Sequence, residues 1–453
     1  MKHMNMRRRL AALSATTLTL GLVASGASVL TAGASGSDGV NTSSKTITIG
    51  GTFPLSGLAA AGFQDVAKSA LATFDYVNNH GGINGWTVNY KVLNDCYNLG
   101  LCGSGNDTTD QTNNLLNTSG GLFATVGSLG TGTQQSVMDT LKTHVVPQLF
   151  VSSGAHFWND PSNYPNLFGF QTNYLAEGKI FATYINASLK GKKVGILGQN
   201  DDFGQDGLQG LKNGGVTPAT VDQLTYNATD VAFNTSVFKT SMQTLQNDKV
   251  QVVVLDTIPQ ATKLALDAAK TLGFKPTFII SGVGSDPQTV NDKNEVGALS
   301  FTFFPATSAS SDKANAWNSW ATKVLTAESG KTVNGVTVDT FSSKTILSGN
   351  QLYGVSIAVA FLQTLYKETT GGATPTRSDF VSTLTSNSIT TPAILPLQYG
   401  SSNHQGLTGG YLIKISSNVA DAALNTTVYS VNPSNQALTT SKITAGVVPS
   451  YLH

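Results

Sequence analysis

Charge is scarce in this sequence. Aspartate, glutamate, lysine and arginine make up 12% of its 453 residues, and the formal net charge is +1. A chain that grips nucleic acid carries a basic excess or stripe, and none is visible, so no nucleic-acid partner is expected. Cysteine is scarcer still: Cys96 and Cys102, in NDCYNLGLCGSG, are the only two. A metal centre needs further ligands, and the six histidines, at 3, 80, 144, 156, 404 and 453, show no ligand spacing. The cysteines are therefore read as a disulfide, whose short loop limits its entropic gain to about 2–3 kcal/mol. Catalytic motifs are missing too. There is no Gly-x-Ser-x-Gly elbow, no metal-hydrolase motif and no Walker Lys-Ser/Thr pair, so an enzyme is the least favoured class and no cofactor is called for.

Only one apolar run approaches membrane length. Lys2 and Arg7, Arg8 and Arg9 precede the mostly apolar residues 10–29, and small residues at 25–27 and 32–34 offer cleavage patterns. That layout predicts a secretory signal peptide over 1–34, with a retained membrane anchor as the competing reading. The consecutive arginines also loosely suit a twin-arginine export signal. No cysteine lies near the cleavage region, which excludes bacterial lipoprotein anchoring. Small polar residues at 35–45 predict a flexible linker.

What is present is an alternation of strands and helices. Residues 46–50 alternate as a strand. A helix over 63–79 follows, stopped at Gly81-Gly82, and Asn84-Gly85 turns the chain into a strand over 86–93. Strands at 122–126, 148–151, 192–197, 250–255 and 277–280 are separated by helical segments at 133–143, from 203, and at 261–272. The rhythm predicts parallel sheets covered by helices on both faces, with ligands beyond the carboxyl ends of the strands. The last third changes to helices at 312–328 and 350–368, a capping box Thr376-x-x-Asp379, and short strands at 394–399, 410–415 and 426–431.

One stretch, VGSLGTGTQQ at 126–135, has the look of an anion site. An apolar run leads into glycines at 127, 130 and 132 and then a helical segment. Gly132 is followed by Thr-Gln-Gln rather than by lysine, and the spacing is not that of the dinucleotide fingerprint, so a nucleotide is excluded. A hydroxyl and amide donors at a helix start suit a carboxylate instead, and a plain helix N-cap at Thr131 or Thr133 is the structural competitor.

Several blocks resemble the extracytoplasmic solute-binding proteins of the leucine/isoleucine/valine-binding type. They are ITIGGTFPLSGLAAAGF (47–63), FDYVNNHGGINGWTVNYKV (74–92), VPQLFVSSGA (146–155), YPNLFGFQTNYLAEGKIFATYI (164–185) and QNDDFGQDGL (199–208). The resemblance spans about residues 46–370. It implies the type I periplasmic-binding-protein-like fold, with two doubly wound α/β lobes joined by a three-strand hinge. Lobe 1 would comprise 46–172 and 303–392, and lobe 2 would comprise 173–302 and 393–453. It also implies capture of a small solute and its delivery to the membrane permease of an ABC importer, by an exported and monomeric protein. A sensor of the same fold is the alternative.

The resemblance further implies that Thr131 and Gly132, with Ser153, Gly154 and Ala155, cradle a ligand carboxylate. Ala155 stands where a hydroxyl residue is common, which removes one side-chain bond. Phe203 and Thr257 would contact the ligand from lobe 2 and Tyr353 from lobe 1, with core packing competing at both aromatics. Gly62 or Phe63 lies near the cleft by the same token. His156, Phe157 and Trp158 are candidates for a pocket wall, and surface packing competes at Trp158. Val283 occupies the position of the acid that usually meets a ligand amino group, and Asp256 or Asp286 could substitute. Burying an ammonium without a carboxylate partner is costly, so the expected solute is left open among an amino acid, an amide and a small carboxylate.

Overall fold

The computed structural model describes residues 38–285, 295–305, 316–415, 422–423, 427–442 and 447–452. The signal peptide expected over 1–34 and Asp286 lie outside the described residues. The first sheet has six strands: β1 (Val40–Asn41), β2 (Thr46–Phe53), β3 (Thr87–Asn94), β4 (Thr125–Val126), β5 (Gln148–Val151) and β6 (Leu167–Gly169). β3, β2, β4, β5 and β6 run parallel, and β1 lies antiparallel to β2. The linker expected to be flexible over 35–45 is thus hydrogen-bonded from residue 39 onward, where Gly39 donates to Gly120. The reason is local: Asn41 Oδ1 accepts the amides of Ser43 and Ser44, each at 3.0 Å, and so closes a hairpin into β2.

The second sheet holds β7 (Val194–Gln199), β8 (Gln223–Tyr226), β9 (Val252–Asp256), β10 (Thr277–Ile280) and β11 (Leu299–Thr302) in parallel. It continues antiparallel through Gly409–Lys414, Thr427–Val431 and Leu438–Lys442. Val252, Val253, Val254 and Leu255 are all fully buried, as a strand covered on both faces requires.

Helix α1 (Ala60–Asn79) starts three residues earlier than expected, with a kink at Ala61 and Gly62, where Gly62 has φ +85°. It packs against the long helix Gly349–Thr369, whose Gly354 faces the Val66 carbonyl of α1 too closely to admit a β-carbon. After α2 (Thr108–Leu116), the helix expected over 133–143 is two short ones, α3 (Thr131–Gln135) and α4 (Met138–Thr143). Ser136 Oγ donates to the Thr133 carbonyl at 2.6 Å, a local bond that competes with helix continuation. On the second sheet, α5 (Tyr174–Ser188) and α6 (Asp202–Asn213) approach through glycines: a β-carbon on Gly178 would lie 3.0 Å from Gly210 Cα. That close approach fixes the first turn of α5.

Three chain segments pass side by side between the sheets. Gly169 donates to His404 and Leu407 to Phe170, while Ile394 donates to Phe303. Thr172 Oγ1 donates to the Gly409 carbonyl at 2.8 Å. The expected capping box at Thr376 forms in half. Thr376 Oγ1 accepts the Asp379 amide, whereas the Thr376 amide goes to Glu368 Oε1 rather than to Asp379.

Candidate ligand cleft

The carboxyl ends of strands from both sheets converge on one cleft with about 940 Å³ of atom-free space, its open mouth included. Loops after β4, β5 and β6 form one side, and loops after β7, β10 and β11 the other. A concave cavity in which apolar walls and converging polar groups meet is the ordinary form of a small-molecule site.

Thr131, Phe203, Val283 and Tyr353 line the cleft, as does Phe63 rather than Gly62. Thr131 is not a helix cap: Gly130 takes that position, with φ +113° and no side-chain capping bond. Thr133 Oγ1 turns back to the Leu129 carbonyl at 2.7 Å. The Thr131 hydroxyl is instead 2.7 Å from Ser153 Oγ, so the two loops expected to form a cradle do meet.

The Tyr174 side chain packs against that cradle. Burial raises the Tyr174 pKa, against the opposing pull of the Gly154 amide and the Ser153 and Thr131 hydroxyls. A β-carbon on Gly154 would lie 2.9 Å from the Tyr174 ring. Ser153, Gly154 and Ala155 therefore sit behind Tyr174 and are absent from the cleft lining; Ser152 reaches it instead. Ala155 is fully buried in a cluster with Trp158, Tyr174 and Phe203.

Gly132 is also outside the lining and abuts the other side, where a β-carbon would stand 4.0 Å from Asp201 Oδ2. Thr257 is likewise outside it. Its hydroxyl pairs with Thr262 Oγ1 at 2.6 Å at the start of the helix Pro259–Leu272, beneath the loop that carries Val283. Phe203 and Tyr353 combine the competing readings, being 2% and 5% exposed yet part of the wall. The Phe203 ring lies 4.4 Å from Tyr174, and Tyr353 donates to Gln171 Oε1 at 3.1 Å. Trp158 is fully buried. His156 joins the two sides: its amide and its Nδ1 each stand 2.8 Å from a carboxylate oxygen of Asp206 on α6.

Among the lining groups that the sequence reading missed, three matter most. Tyr97 is presented by the loop between Cys96 and Cys102, which are disulfide-bonded with Cα atoms 5.9 Å apart. Tyr174 is the second. The third is Glu177, 4% exposed, whose Oε1 accepts the Gly282 amide at 2.7 Å. Burial pushes the Glu177 carboxyl up to about 7, against the opposing pull of the Gly282 amide and the Ser281 hydroxyl. The legible sign was a carboxylate three and four residues before Ile180 and Phe181, on the apolar face of a helix. Asp256 is buried behind it and raised well above the usual carboxylate range, first by burial and then by Glu177. Among the described residues no cluster of histidine, cysteine, aspartate and glutamate could hold a metal ion.

The architecture matches solved structures at low identity. A possible leucine/isoleucine/valine-binding protein from Rhodopirellula baltica SH 1 aligns with a TM-score of 0.69 at 16% identity, over 86% of this chain and 98% of that one. A fatty acid ABC transporter substrate-binding protein from Thermomonospora curvata gives 0.70 at 16%, over 89% and 97%. A branched chain amino acid ABC transporter from Thermus thermophilus with bound valine gives 0.66 at 16%, over 84% and 95%. No curated protein matches the chain. The fold is thus that of the type I periplasmic binding proteins, and residues 46–420 match the periplasmic binding protein family itself. With that match spanning most of its length, the chain belongs to the periplasmic binding protein family.

Proposed function

We infer that this protein is an exported, monomeric solute-binding protein that captures a small solute between its two sheets and hands it to the membrane permease of an ABC-type importer. The observation that carries this is the cleft itself, built from strand ends of both sheets and spanned by three crossing segments that lie side by side. Residues 46–172 and 303–392 would move as one lobe and 173–302 and 393–453 as the other, bending at the boundaries between them. Closure would bring Phe203 and Val283 toward Thr131 and Tyr353. Such a protein needs no catalytic group, and binding energy is realised by excluding water from the apolar parts of the cleft while its polar groups are satisfied.

The test is a thermal-shift screen of the mature protein against amino acids, amides, amines and small acids, followed by uptake of the best solute in cells with and without the gene. A ligand that binds only the folded state raises the melting temperature, by an amount set by its concentration over Kd. Stabilisation by a solute whose uptake depends on the gene is expected. Turnover of that solute by the purified protein, or uptake indifferent to the gene, would overturn the reading.

A further inference from the structure

We propose that Glu177 is the residue that selects the ligand, and that the ligand presents an ammonium group to it from an apolar body. This rests on the solute-binding reading above and names the solute's chemistry. The loop after β10 has Val283 where an acid was expected, but the carboxylate of Glu177 reaches that same loop from α5 and is held there by the Gly282 amide. The close packing of Gly178 against α6 fixes the turn that delivers it.

The surroundings of Glu177 favour a cation. It is the single charged side chain among the described residues that line the cleft, and no lysine, arginine or histidine is among them. Other acids surround the site. Asp201 and Asp95 both raise the pKa of the cleft-lining Tyr97, and Glu177 raises that of the buried Asp256. An anionic ligand would meet no counter-ion among the described lining residues, whereas an ammonium would supply the one that Glu177 lacks and favour its ionised form.

The opposite side of the cleft makes no comparable demand for an anion. Its Thr131 and Ser153 hydroxyls bond to each other, and the Tyr174 ring packs against the adjoining Gly154. The remaining walls mix ring faces and aliphatic groups, among them Phe63, Phe203, Phe303 and Tyr353, with uncharged polar side chains such as Ser152, Gln171 and Asn350. The rings suit an apolar body, and aromatic faces attract a cation.

The experiment compares matched solutes that share one body and differ in one group. Primary amines of three to eight carbons, alkyl and phenylalkyl, are measured beside the corresponding carboxylates, alcohols and primary amides by calorimetry on the mature protein and on Glu177→Gln. The best amine should bind at least tenfold more tightly than its carboxylate. Glu177→Gln, which keeps an acceptor for Gly282, should erase that preference without changing which body is preferred. A carboxylate or alcohol that binds more tightly than its amine to the wild type would overturn the proposal, whether or not the variant folds. So would an amine preference that survives in Glu177→Gln. If amines fail while another class binds, the role of Glu177 falls and the solute-binding reading stands. If uptake proves independent of the gene, that reading falls on its own.

Discussion

Glu177 and Thr131 show how much of this cleft depends on single polar atoms. An acid whose pKa is raised on folding holds its proton more firmly in the native state, so stability falls as pH rises from the unfolded value through the folded one. For Glu177 the window runs from the ordinary glutamate range to about 7, and the buried Asp256 adds a loss of the same sign. The ligand-free protein should lose stability toward pH 8 in chemical denaturation, and Glu177→Gln should lose less. At the facing wall, Thr131→Val deprives Ser153 Oγ of its 2.7 Å partner. A buried polar group short of a partner costs about 1–2 kcal/mol, to be read from urea midpoints at unchanged m-value.

At the scale of elements, the site depends on how closely α5 and α6 meet. Gly178→Ala would push a methyl into the backbone of Gly207 and Gly210. Overpacking of this kind costs roughly 1–3 kcal/mol. Because Glu177 is the adjacent residue, ligand affinity should fall together with the melting temperature. A second element, the loop closed by Cys96 and Cys102, holds Cys96, Tyr97 and Asn98 at positive φ of 48°, 58° and 54° and places Tyr97 at the cleft. Reduction should cost about 2 kcal/mol of stability through the small loop and weaken binding more than that loss alone explains. Titration calorimetry of the oxidised and reduced protein would show it.

Legibility also varied by element. The Asn84-Gly85 turn, with φ of 50° and 79°, and the stop of α1 at Gly81 and Gly82 follow from local backbone preference, and the chain shows both. The split between α3 and α4 and the pairing of β1 with β2 hinge on one serine and one asparagine side chain, whose local hydrogen bonds leave no periodic signature.

Across the whole molecule, the bond between His156 and Asp206 joins the two sides of the cleft. The Asp206 hydrogen bond raises the His156 pKa above its ordinary value against partial burial, and the charge of Asp202 adds to it. A raised histidine stabilises the state that contains the bond fully below the unfolded pKa, and that contribution disappears as pH rises through the folded one. Closure should therefore loosen as pH climbs above about 6.5. NMR titration of the His156 ring should give a midpoint above that value, falling in Asp206→Asn. The ligand-free radius of gyration should grow over the same range.

The sequence by itself determined the alternating α/β order, the sheet-end location of the loops that matter and the pairing of Cys96 with Cys102. All of these rest on periodicity, turn chemistry and composition, which act over a few residues. Only the tertiary structure decided what packs against the cradle and where the acid comes from. Tyr174 lies 20 residues from Gly154, and Glu177 lies 105 residues from Gly282. No local rule connects such pairs. They meet because the packed glycines of α5 and α6 and the crossing segments bring the strand ends of two sheets to one place.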